Sequence, residues 1–267
     1  MRLSLLYLLL LYLTPTFAQS VSTQIGGRVN GMGYASASMF DTWGTFSNPA
    51  AGAKTTQVTS AFTYDLRPQL AGANRTAAAL VAPVSIGVVS AGVYRFGDEL
   101  YNEQLISAGF ANTFGLASLG IQVNYLQYSA AGFGNKGVFT INVGGIAEIM
   151  PHLSVGAYIV NVNQPSISEA EKVPTRLVAG MAFKPIEKVL LAIEIDKDLD
   201  FDATWKMGIE YLFHKKFIAR TGYNLHPDTA YFGLGFKTRK LVLDYAMQYN
   251  VLLRMSHQAS VTYPFGN

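Results

Sequence analysis

The sequence contains no cysteine, which excludes disulfide staples and thiolate zinc centres alike. Charge is scarce too. Asp, Glu, Lys and Arg make up 14% of the 267 residues, against about 25% in ordinary soluble domains. The net charge of +3 is spread along the chain, so it forms no footprint for nucleic acid. Also missing is an apolar run of the roughly 20 residues that a membrane-crossing helix needs. The apolar stretch Leu3 to Leu13 is too short. It follows Arg2 and precedes Pro15 and Phe17-Ala18-Gln19. That order of charged start, apolar centre and small residue predicts a secretory signal peptide, 1–18, cleaved near Ala18.

Chemistry-bearing constellations are equally sparse. His152, His214, His226 and His257 sit on separate turns or strands without ligand spacing. No Gly-x-Ser-x-Gly elbow places a nucleophile. Asp196, Asp198, Asp200 and Asp202 alternate as calcium ligands can. However, the mid-loop glycine is absent, and the closing Glu position is Met207. The expectation is no enzyme, no metal site and no cofactor.

What the chain has in quantity is apolar and aromatic side chains, 50% and 12% of residues. Part of its surface is therefore expected to face something other than water. Two stretches carry no charge, Thr76 to Tyr94 and Gln104 to Gly134. Pro83, Gly87 and Gly92 interrupt the first. The second would bury Asn112, Gln122, Asn124 and Gln127 in lipid if it were helical, which is costly. A two-residue period explains it better. Leu119, Ile121, Val123 and Tyr125 alternate with Gly120, Gln122 and Asn124. The same period returns in Val189 to Asp196, Trp205 to Tyr211, Leu241 to Gln248 and Ala259 to Phe265.

Short turns, such as Thr113-Phe114-Gly115 and Met150-Pro151-His152, alternate with longer polar links, such as Asp65 to Gly72 and Asn163 to Pro174. This asymmetry matches transmembrane barrels, which have short turns at one end and longer loops at the other. Counting from residue 55 gives about 14 strands, the last ending at Phe265. The fold expected is all-β: a transmembrane antiparallel β-barrel over 55–267, closed because strand edges are costly in lipid. Tyr64, Tyr94, Tyr125, Tyr211, Tyr223 and Tyr249 are candidates for interfacial girdles.

Within the segment 19–54 that precedes the barrel, Ile25 to Lys54 does not alternate. It is rich in glycine, and Asn48-Pro49 reads as a helix start with Asn as cap and Pro in the first turn. A dinucleotide loop is excluded because the Gly-x-Gly-x-x-Gly spacing is absent.

Arg28, Gly31-Met32-Gly33, Ala35, Asp41 and Asn48-Pro49-Ala50 resemble the amino-terminal signature of the long-chain fatty-acid transporter (FadL-like) superfamily, and more closely its PorV/PorQ branch. Pro174-Thr175-Arg176-Leu177, Lys197-Asp198-Leu199-Asp200, Phe232-Gly233-Leu234-Gly235-Phe236 and Leu243-Asp244-Tyr245-Ala246 extend the likeness over nearly the whole chain. The resemblance implies a fourteen-stranded outer-membrane barrel with an N-terminal hatch in the lumen. Arg28, Gly31, Met32, Gly33, Asp41, Asn48 and Pro49 would belong to that hatch. It also implies transport across the bacterial outer membrane or a part in type IX secretion. The partners would be outer-membrane lipid and either secretion-system proteins or a hydrophobic small molecule. The alternative is a structural or partner-binding barrel with no solute path.

Glu194, Asp196, Lys206, Glu210, Arg220 and Asp244 fall on the phase opposite the apolar residues of their strands. They are expected to line the lumen on five neighbouring strands. Two readings are open: a polar path or docking point for the hatch, and a paired network that fills space. The second is preferred because interior charges pair in either case. Arg28 is a candidate partner for one of the acids.

Overall fold

A computed structural model describes residues 22–167 and 172–266. The expected signal peptide, 1–18, lies outside the described residues.

Fourteen antiparallel strands close into one barrel. They are β1 (Val58–Leu66), β2 (Arg75–Val84), β3 (Gly87–Gly97), β4 (Tyr101–Phe114), β5 (Ala117–Ala130), β6 (Gly134–Met150) and β7 (Leu153–Val160), followed by β8 (Arg176–Ile186), β9 (Val189–Asp198), β10 (Thr204–His214), β11 (Phe217–Asn224), β12 (Thr229–Lys237), β13 (Val242–Asn250) and β14 (Arg254–Phe265). Each pairs with its sequence neighbours. β1 meets β14 in unbroken register from Val58↔Phe265 to Leu66↔His257. No edge is left to template another chain.

The alternation explains why the ribbon curls one way. On β5, Leu119, Ile121 and Val123 are exposed while Gln122 and Asn124 are buried. On β10, Trp205, Met207, Ile209 and Tyr211 are exposed while Lys206 is buried. Apolar residues out and polar residues in is the reverse of a soluble protein, and it fits a wall surrounded by hydrocarbon. The two uncharged stretches form the hairpins β2–β3 and β4–β5, not helices. No helix among the described residues is long and apolar enough to cross a membrane.

The expected alternation of short and long connections is only partly present. One end of the barrel carries the tight turns 85–86, 115–116, 151–152, 187–188, 215–216 and 238–241. The other carries 67–74, 98–100, 131–133, 161–175, 199–203, 225–228 and 251–253. Most links at this second end are short; only 67–74 and 161–175 are extended. Of the tyrosines expected at the interfaces, Tyr64, Tyr211, Tyr223 and Tyr249 face outward and exposed. Tyr125 lies on the outward phase against Phe139. Tyr94 faces inward and is buried. It shares the phase of Gly92 and Val88 on β3, and apolar residues occur on both faces of that strand, so the pattern there marks no direction.

Residues 22–57 precede the first strand and contain three short helical pieces. These are α1 (Gly27–Gly31) and two 3-10 turns, Thr42–Phe46 and Pro49–Gly52. The second and third start on side-chain caps. Asp41 accepts a hydrogen bond from Trp43 N at 2.9 Å, and Asn48 accepts one from Ala50 N at 3.0 Å with Pro49 in the first turn. The segment is buried almost throughout and touches all fourteen strands.

Candidate functional site: the barrel interior

The interior has a charged side and an apolar side. On the charged side, an alternating ladder begins on the N-terminal segment and ends on the wall. Arg28 Nη1 donates to Asp41 Oδ2 at 2.9 Å, and its Nε and Nη2 donate to both carboxylate oxygens of Glu210, each at 2.9 Å. Glu210 Oε2 also accepts from Arg220 Nε at 2.6 Å, and Arg220 Nη1 donates to Asp244 Oδ1 at 2.6 Å. The fork-on-fork geometry of Arg28 and Glu210 fixes orientation as well as distance. Glu210 and Arg220 are direct cross-strand partners, so the wall half of the ladder is set by sheet register alone.

A second cluster lies on β8–β10. Lys206 Nζ donates to Glu194 Oε1 at 3.0 Å and to Asp196 Oδ2 at 2.7 Å. Arg176 closes on Asp196 from β8. Glu194 keeps its other oxygen for the segment, accepting from Ser36 N at 2.9 Å and Ala37 N at 2.8 Å. Gln24 Oε1 completes the Lys206 shell at 3.1 Å. Every charge in these two clusters has an opposite neighbour, as burial demands.

All six predicted wall residues point inward, and the structure gathers them into these two clusters. They occupy four strands, not five. β12 contributes none, and the reason is spatial. Gly235 on β12 leaves room for the Arg220–Asp244 pair, because a Cβ there would lie 2.8 Å from both Arg220 Nη1 and Asp244 Oδ1. Arg28 and Asp41, from the N-terminal signature, join the first cluster. Asn48 Nδ2 holds Ala37 O at 2.6 Å and reaches Gly145 O on β6 at 3.2 Å. Gly31, Met32, Gly33 and Pro49 are buried against glycines of the wall.

Those wall glycines were not singled out by the sequence. Gly208 and Gly222 are directly paired across β10 and β11, and the Met32–Gly33 backbone rests on them; a Cβ on either would collide with it. Two further glycine pairs serve the same purpose. Gly120↔Gly144 lies beneath Pro49 and Asn48, and Gly156↔Gly180 lies beneath Ala37. Strand glycines mark close approach of another backbone, which is the signal that could have found them. A third charged group was also missed. Arg75 binds Asp65 at 2.6 Å, Tyr34 Oη at 2.9 Å and the carbonyls of Ser22 and Gln24, each at 3.2 Å. Asp65 looked like part of a polar link, but β1 runs past it.

The apolar side is formed by β1–β5, apart from the Arg75–Asp65 pair on β1 and β2. Ile25, Val29, Trp43 and Phe46 of the segment pack with Ala61, Ala77, Ala79, Tyr94, Leu105 and Leu126 of the wall. Val173 and Ile167, on either side of residues 168–171 in the link 161–175, join this cluster, so those two residues lie over the interior. At the tight-turn end a cavity of about 300 Å³ lies against Arg28, Asp41, Trp43, Glu210, Arg220 and Lys237.

Such an interior, walled by a closed fourteen-stranded sheet, defines a transmembrane barrel whose lumen is occupied by its own N-terminal segment. Among solved structures, the chain is similar to the toluene transporter TodX of Pseudomonas putida. The TM-score is 0.69 at 13% identity, covering 93% of this chain and 99% of that one. It is also similar to the toluene transporter TbuX of Ralstonia pickettii (TM-score 0.68, 11% identity, 92% and 99% covered). A FadL homologue of Pseudomonas aeruginosa gives a TM-score of 0.58 at 11% identity, with 94% and 99% covered. The chain therefore has the fold of FadL-like outer-membrane barrels. No family model and no curated protein matches its sequence.

Proposed function

We propose that this chain is an outer-membrane barrel that lets small hydrophobic molecules through, with residues 28–53 as a hatch that shifts to admit them. The observation that carries this reading is the continuous apolar cluster running from Val173 in the link 161–175, past Tyr94 and Leu126, to Trp43 and Phe46 on the segment. An aromatic or aliphatic solute can replace apolar contacts there without leaving a charge unpaired. The fold shared with proteins described as toluene transporters supports the same substrate class. Transport is passive: the solute enters beneath the link, displaces the segment on its apolar side, and leaves through the lumen or the wall.

A second reading is a partner-binding barrel with no solute path, serving type IX secretion as a PorV/PorQ-type protein. It is supported by the order of the signature motifs, and by a segment that touches all fourteen strands. Uptake of toluene into liposomes separates the two. The transport reading expects flux above that of empty vesicles from the full chain, and faster flux when residues 28–53 are removed. No flux from either form favours the partner-binding barrel.

A further inference from the structure

The tight-turn end of the barrel is divided in two by charge. Three successive turns, between β8 and β9, β10 and β11, and β12 and β13, carry Lys188, Lys215, Lys216, Arg239 and Lys240, and Lys184 stands near the end of β8; all six are exposed. Only Glu187 opposes them there. Among the described residues none of the six cations is in an ion pair. The turns on the other half, 85–86, 115–116 and 151–152, contain no Asp, Glu, Lys or Arg.

Beneath the basic half lies an apolar groove on the outer wall, of about 510 Å³, within the roughly 300–1,000 Å³ typical of ligand sites. Phe213, Phe217 and Phe236 form its end nearest the turns. Leu234, Leu243 and Tyr245 form its sides. Phe217 packs on both other phenyl rings, with centroids 6.0 Å from Phe213 and 5.1 Å from Phe236. Because exposed Phe213 and Phe217 flank the turn 215–216 directly, the apolar belt reaches the turn itself. Lys215 and Lys216 therefore sit at the level of the lipid headgroups. Lys237 N–H donates to Lys216 O at 2.8 Å, tying this turn to β12 and its neighbouring turn with Arg239 and Lys240.

We propose that this half of the rim is a binding site for an anionic phospholipid of the adjoining leaflet, with its phosphate among Lys215, Lys216, Arg239 and Lys240 and an acyl chain in the phenylalanine groove. Uncompensated cations at headgroup level attract anionic lipid. The groove beneath them turns a diffuse attraction into a site, because chain and headgroup are held together. A rim without net charge, such as the opposite half, where exposed Lys54 and Glu148 pair with each other, offers no such preference.

The test uses the full chain in phosphatidylcholine vesicles, with Tyr245→Trp as a reporter in the groove and Trp205→Phe to remove the other outward indole. Brominated phosphatidylglycerol is expected to half-quench the reporter at about fivefold lower mole fraction than brominated phosphatidylcholine, the effect of one fully engaged basic residue. Reversing Lys215, Lys216, Arg239 and Lys240 to Glu is expected to abolish the difference. Heat-dependent gel mobility confirms that each variant is folded. Native mass spectrometry of the unsubstituted chain gives an independent readout, with phosphatidylglycerol expected to be retained in preference to phosphatidylcholine. Equal quenching by the two lipids overturns the proposal and leaves the basic rim to an acidic soluble partner. A preference that survives charge reversal overturns it too.

Discussion

On β8–β13 the N-terminal segment meets carboxylates and guanidinium groups: Arg28 is clamped to Glu210, and the amides of Ser36 and Ala37 sit on Glu194. On β1–β5 the same segment meets Ala61, Ala79, Tyr94 and Leu105 through Trp43 and Phe46. The two sides differ in what can replace them. An ion pair buried in the interior is directional, and losing one partner leaves a charge without compensation. An apolar contact is non-directional, and a hydrophobic solute can take the place of either partner. The charged side, together with Arg75 at Ser22, Gln24 and Tyr34, is thus suited to hold the segment in one orientation, and the apolar contacts of Trp43 and Phe46 to yield. The segment is expected to pivot about its ion pairs and not to leave as a unit.

Glu210, which both Arg28 and Arg220 share, ties the segment to the charged wall. Glu210→Ala removes three charge-assisted hydrogen bonds while leaving Arg28 on Asp41 and Arg220 on Asp244, and is expected to cost about 3–5 kcal/mol from those bonds together, read as a fall in the urea midpoint of the barrel in vesicles. It should also expose residues 28–53 to protease. A change under about 1 kcal/mol would mean that the charged side holds nothing.

On the apolar side, Leu105→Ala is expected to cost about 2–4 kcal/mol through the cavity it leaves. Protease resistance of the segment should be retained and toluene flux should rise. If the segment is instead released, the two sides do not divide the work as described. Gly222→Ala probes the floor between them. The added methyl meets the Gly33 backbone, and overpacking of this kind costs about 1–3 kcal/mol. The smallest effect is expected outside the interior. Lys54 and Glu148 form an exposed pair, so Lys54→Ala should shift stability by less than about 1 kcal/mol.

The barrel was largely legible in the sequence because its physics is local. A side chain facing lipid and the next facing the lumen leave a period of two, as in Leu119 to Tyr125, and the turns punctuate it. The inward phase of Glu194, Asp196, Lys206, Glu210, Arg220 and Asp244 follows from the same count. Which of them pair is not local. Arg220 reaches Asp244 only because Gly235 on the intervening strand has no side chain, and a residue that acts by having nothing there leaves little trace in a hydrophobicity pattern. Tyr94 shows the converse failure. Where both faces of a strand are apolar, as on β3, the period loses its phase, and a buried tyrosine reads as a girdle residue. The path of residues 22–57 across the wall depends on three glycine pairs joined only by register, which a one-dimensional reading does not bring together.

In the proposed transport the segment moves for a solute to pass, and a reducible tether would hold it still. A Cβ on Gly92 of β3, on the apolar side, would lie 2.8 Å from Thr45 Cγ2, near enough for Gly92→Cys and Thr45→Cys to bridge, and the chain has no cysteine of its own to compete. Toluene uptake into vesicles would be measured with this pair oxidised and then reduced in the same preparation. Oxidation is expected to suppress uptake and reduction to restore it; uptake that is the same in both states would show that the segment need not move.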